Sequence, residues 1–214
     1  MKRFALVLGS VLLVIGAVQA RTISLTAEDA DEMACIASFA PRLSWVMAPA
    51  NVQAQNTQPT LYWYNSMSLL MRFPIKDLVP EKQRITKAEL MIAPTYVAGT
   101  PQVHVRRLLA EWGPGVCHDY RMTFPKKVEW SQPGAKGNAD RNNKATAVFK
   151  FAKVGEQSAD VTEDIELWYT GGAPNRGWLL TLEPEGHVGY FYSPYTPQTA
   201  GAKSWKLQIT FEPQ

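Results

Sequence analysis

SADVTEDIELWYTGGAPNRGWLLTL, residues 158–182, changes its periodicity halfway. In the first half Val161, Ile165 and Trp168 recur at i, i+4 and i+7, which lays one apolar stripe along about two helical turns. Asp160 stands where an N-cap belongs and Glu163 follows at capping-box spacing, so the pattern predicts a short helix over about 161–169. Gly171-Gly172 ends it, because glycine accepts the left-handed conformation common after a helix. The segment from Pro174 to Gly177, with Asn175 inside it, is a turn, and the unbroken WLLTL that follows is a buried strand. Asp160, Glu163, Asp164 and Glu166 are accounted for by capping, the helix dipole and solvent. The expected picture is one helix lying across the end of a strand-built domain, with Trp168 plugging the gap.

Outward from that stretch, strand signals dominate. In SWKLQITF (204–211) Trp205, Leu207, Ile209 and Phe211 alternate strictly with Lys206, Gln208 and Thr210, the pattern of a half-buried strand. TLYWYNSMSLLMRFPI (60–75) reads as two strands broken around Asn65-Ser66. ITKAELMIAP (85–94), PQVHVRRLLAEW (101–112), TAVFKFAKV (146–154) and VGYFYSP (188–194) add more. Short strands between Gly, Pro and Asn clusters indicate an all-β fold, an antiparallel sandwich of jelly-roll type. Residues 24–56 are mixed, with EDADEMACIASFA open to strand, helix or loop. SQPGAKGNADRNNKA (131–145) has no apolar periodicity and reads as an exposed, disorder-prone connection.

Residues 1–20 have the form of a cleaved signal peptide. Lys2 and Arg3 precede an apolar run, and Ala17-Val18-Gln19-Ala20 is a small-x-small cleavage site. Residues 21–214 are then expected to form a single exported domain, secreted, periplasmic or at the cell surface. The chain has 22 basic and 19 acidic residues; without Lys2 and Arg3 the balance is close to +1. Such a balance argues against a nucleic-acid groove or an anionic-membrane patch. In an exported chain the only two cysteines, Cys35 and Cys117, most simply form one disulfide, the alternative being two buried thiols. Two cysteines and His104, His118 and His187 supply no zinc-type ligand spacing. Asp29 and Asp31 offer oxygens for a structural calcium, though without further ligands a solvated N-terminal turn explains them better. No other cofactor is expected.

Six fragments in order resemble one family. LLMRFPI (69–75), ITKAELMI (85–92), LLAEW (108–112), VEWSQPGAKGNADRN (128–142), ADVTEDIELWYTGGAPNRGWLL (159–180) and YFYSPY…WKLQITF (190–211) are similar to the strand and loop signatures of DNRLRE-domain modules. These are exported β-sandwiches related to disaggregatase repeats and to alginate-binding-type carbohydrate-binding modules. The resemblance covers residues 60–214. It implies a structural role for the Asn175-x-Gly177 turn and a non-catalytic function in glycan recognition or in an envelope or matrix layer.

Candidate site residues follow from strand alternation. Sugar rings stack on exposed aromatic faces beside polar groups that fix hydroxyls and carboxylates. Tyr62 and Tyr64 alternate with Leu61 and Trp63, and Tyr190 and Tyr192 flank Phe191. His104 and Arg106 share one strand face opposite Val103 and Val105. Together these could form a platform for an anionic glycan. A second hydrophobic face covered by loops is the competing reading for each tyrosine. Glu183 with Glu185 is the best acidic pair for catalysis, and no nucleophile-elbow context exists. A protein–protein adhesion module and a small polysaccharide lyase using His104 are the rival functions.

Overall fold

A computed structural model describes residues 19–26, 29–46, 60–63, 66–97, 99–183, 189–192 and 205–214. Nearly all of the expected leader, Tyr64 and Glu185 lie outside them. The elements in order are β1 (Arg21–Thr26), β2 (Glu32–Ala37), β3 (Trp45–Val46), β4 (Thr60–Trp63), β5 (Met67–Arg72), α1 (Ile75–Leu78), β6 (Gln83–Ile92), β7 (Pro94–Val97), β8 (Gln102–Arg107), β9 (Tyr120–Met122), β10 (Val128–Glu129), β11 (Ala147–Lys150), β12 (Gln157–Asp160), α2 (Thr162–Tyr169), β13 (Trp178–Glu183), β14 (Gly189–Tyr192) and β15 (Trp205–Pro213).

The strands form an antiparallel β-sandwich. One layer has the order β1-β15-β6-β12 and the other β11-β8-β13-β5-β2-β3; β4-β14-β7 form a third, smaller sheet and β10-β9 a ribbon. The alternating stretch near the C-terminus becomes β15, with Trp205, Leu207, Ile209 and Phe211 at most 3% exposed. They meet Leu69, Met71, Val103, Val105 and Leu180 of the six-stranded layer in one core. Each such side chain gains roughly 1.5–3 kcal/mol by leaving water, which is what fixes the register of every inward row. β2 resolves the ambiguous EDADEMACIASFA as a strand paired with β5. β1 pairs with β15, and Arg21 lies opposite Phe211.

α2 closes one end of this core. Val161, Ile165 and Trp168 are buried, and Trp168 packs against Trp178 with ring centroids 4.7 Å apart. The expected capping box does not form. Asp160 is still paired in β12, opposite Glu89 of β6, so the helix starts at Thr162 and its N-cap position is Val161, without a side-chain cap. Asp160 Oδ1 instead accepts from the Thr162 backbone N–H at 2.8 Å, and the Thr162 hydroxyl accepts from Ala88 N–H at 2.8 Å, tying the helix to β6. Glu163 is exposed. Asp164 is the carboxylate that matters. Only 2% exposed, it accepts from Arg107 Nη1 (3.1 Å), the Thr146 hydroxyl (2.7 Å) and Trp178 Nε1 (2.8 Å).

Two further expectations are corrected. Cys35 and Cys117 are both buried free thiols, not a disulfide. Cys35 points into the core between the layers, whereas its neighbours Ala34 and Ile36 join a second apolar cluster on the outer face of the six-stranded sheet. Cys117 follows Val116 in the loop that covers that outer cluster. Residues 131–145 are not a loose connection. Asp140, 2% exposed, accepts hydrogen bonds from Ser131 N–H and Oγ–H, Gln132 N–H and Gly137 N–H. That internal hub lets Trp112, Trp130 and Ala135 roof the outer cluster.

Candidate functional site

Where the roof ends, the outer face of the six-stranded sheet carries polar side chains. β8 turns Val103 and Val105 inward, and so His104 and Arg106 outward; β13 turns Leu180 and Leu182 inward, and so Thr181 and Glu183 outward. The register sets His104 opposite Thr181 and Gln102 opposite Glu183. Pairing between strands far apart in sequence therefore assembles what alternation alone leaves as separate pairs.

Arg106 is the hub, with only 9% of its surface exposed. Its Nη1 donates to Thr181 Oγ1 and Glu183 Oε1, both at 2.8 Å, and its Nε reaches the Asn143 carbonyl at 3.4 Å. Its Nη2 lies 3.2 Å from His104 Nδ1. A guanidinium can only donate, so Nδ1 is the acceptor and Nε2 is assigned the imidazole proton. Burial holds the His104 pKa below its ordinary value, Glu183 pulling it up and Arg106 pushing it down. Burial pushes the Glu183 pKa up, but the hydrogen bond and charge of Arg106, with help from Thr181, hold it below the usual carboxylate range.

Arg141 completes the cluster from the covering loop, through a backbone bridge to Leu108. Among the described residues its guanidinium makes no ion pair, and its buried Nε has no hydrogen-bond partner. Burial, and then repulsion from Arg106, depress its pKa, with Glu183 and Asp140 opposing. Sequence periodicity holds no signal for Arg141, because a loop brings it here. Val148, opposite His104 on β11, adds an exposed apolar edge. The arrangement presents one spare guanidinium and one imidazole N–H beside a fixed Arg–Glu pair, a set that grips carboxylate or hydroxyl oxygens.

The structure does not join the tyrosines to this cluster. Tyr62, Tyr190 and Tyr192 belong to β4 and β14 of the three-stranded sheet, where Tyr190 pairs with both Tyr62 and Tyr96. Three tyrosines thus share one cross-strand row, and Tyr96, which was not picked out from the sequence, is 51% exposed. Asp29 and Asp31 have separate neighbours. The Asp29 carboxylate accepts from the Thr26 N–H and hydroxyl, while Asp31 lies beside Arg72 and Asp77, and among the described residues no three His, Cys, Asp or Glu side chains gather as a metal group. Asn175 donates to the Phe73 carbonyl at 2.6 Å and accepts from Gly177 N–H at 3.1 Å. Gly177 has φ +74°, and a Cβ there would overlap the Met71 carbonyl. The Asn-x-Gly turn is therefore a clamp between β13 and β5.

Compared with known proteins, the chain matches no family model, and no curated protein matches it significantly.

Proposed function

We propose that this is an exported, non-catalytic β-sandwich that binds an acidic polysaccharide on the outer face of its six-stranded sheet. The observation that carries the reading is Arg141: a half-buried guanidinium without an ion-pair partner among the described residues, set beside Arg106, His104 and Glu183. An incoming carboxylate would supply the acceptor Arg141 lacks, and its charge would offset the repulsion from Arg106. The motif order similar to DNRLRE modules and the signal-peptide pattern of residues 1–20 are consistent with work outside the cytoplasm, in glycan recognition or an envelope matrix.

Affinity electrophoresis tests this. Mature protein should be retarded in gels containing a polyuronate and not in gels of a neutral glucan. Arg141→Ala should lose that retardation with the circular dichroism spectrum unchanged. Retardation equal in the wild type and the variant would contradict the assignment.

One observation favours a second reading. His104 beside two arginines is also the set a polysaccharide lyase needs: Arg141 would counter the uronate charge, and His104 Nδ1, once released from its hydrogen bond with Arg106, would take the proton. Release of unsaturated ends from the polyuronate, abolished by His104→Ala, would replace the binding proposal with this one.

A further inference from the structure

His104 Nδ1 has two charged neighbours, and each suits a different protonation state. Arg106 Nη2 stands 3.2 Å away and Glu183 Oε2 3.4 Å away. While the imidazole is neutral, Nδ1 accepts from Arg106, because a guanidinium only donates. A proton taken from solvent onto Nδ1 ends that hydrogen bond and sets two positive groups against each other. The Glu183 carboxylate is then the acceptor. Its Oε2 is the oxygen available, since Oε1 already takes Arg106 and Thr181. Both side chains reach solvent, His104 at 21% and Glu183 at 38% exposure, so the exchange needs no opening of the core.

The groups around the ring set the balance. Arg106, two residues along β8, and Arg141, from the covering loop, oppose a charged imidazole, and Glu183 of β13 favours it. Val148 of β11 and Thr181 of β13, which flank His104 on the neighbouring strands, are uncharged. Lys150 stands one row further along β11, opposite Gln102. Asp140, the other anion acting on Arg141, is saturated by its four donors. Burial and two arginines therefore outweigh one carboxylate and keep the ring neutral at neutral pH. A carboxylate docked on Arg141 shifts that balance, since a nearby anion favours the charged imidazole. By linkage, the proton must favour the carboxylate to the same degree. We propose that His104 is a proton switch for the Arg141 site, Nδ1 passing from Arg106 to Glu183 in mild acid so that the site holds a carboxylate more tightly. The switch rests on the acidic-polysaccharide reading for its ligand, and on the two distances at Nδ1 for its mechanism.

Calorimetry with a size-defined oligouronate at about pH 7.5 and about pH 5 tests it, because histidine charges within that window while a uronate stays ionised. Affinity should rise about threefold or more in acid, the scale of one partly exposed charge. His104→Gln, which keeps an acceptor for Arg106 but takes no proton, should bind equally at both pH values. In ¹H–¹⁵N spectra the His104 titration midpoint should rise at saturating oligouronate and fall in Glu183→Gln. Affinity that is the same at both pH values in the wild type, or that rises as much in His104→Gln, overturns the switch and leaves the glycan reading standing. A His104 midpoint that neither the oligouronate nor Glu183→Gln moves overturns it as well. No binding at either pH brings down both.

Discussion

Single residues in this fold are set by what they would leave behind if removed. Asp164 takes donors from three separate stretches of chain, and among the described residues Arg107 has no other anion at its guanidinium. Asp164→Ala should therefore cost about 3–5 kcal/mol in urea unfolding, because a buried charge loses its partner; a loss below about 1 kcal/mol would show the ion pair to be incidental. Gly177→Ala should cost about 2 kcal/mol or more, combining left-handed strain with overlap on the Met71 carbonyl. Burial pushes the Cys35 thiol up to about 12, so it is neither a thiolate nor accessible in the native state. Aromatic disulfide reagents should leave Cys35 unmodified in the folded protein and label it only after denaturation.

At the scale of the element, α2 shows how a readable pattern hides its own chemistry. Its apolar face, Val161, Ile165 and Trp168, was legible because three positions at helical spacing can face one core. The role of Asp164 was not, since a carboxylate in the first turn looks the same whether it meets water or a distant Arg107. Asp160 acts two residues before the first helical residue, Thr162. Hydrogen bonds from Thr162 hold its carboxyl below the usual range. A depressed acid stabilises the fold above its unfolded pKa, and that contribution is lost as pH falls through the folded pKa. Asp160→Ala should cost about 1 kcal/mol at neutral pH, the worth of one hydrogen bond, and flatten the acid limb of the stability profile; an unchanged acid limb would place the pH dependence elsewhere. β15 and β8 were legible from alternation. The order of the 131–145 loop was not, because it depends on four donors converging on one Asp140 rather than on any periodicity.

For the whole molecule, the six-stranded sheet has two working faces. The inner one packs on the opposite layer, and the outer one divides into an apolar part under Trp112 and Trp130 and a polar part around Arg106. That division was beyond the sequence, which shows His104 and Arg106 on one face but neither the β8–β13 register nor the loop that carries Arg141. His104 and Glu183 both have depressed pKa values, so in acid the unfolded chain binds more protons than the folded one and the cluster loses stability as pH falls. The most direct test of the account is isothermal titration calorimetry of residues 21–214 with a size-defined oligouronate at neutral pH. The account predicts a saturable heat that Arg141→Ala weakens about tenfold or more, the scale of one lost charge-assisted hydrogen bond. Affinity identical in the two proteins, or no heat with any acidic oligosaccharide, would contradict it.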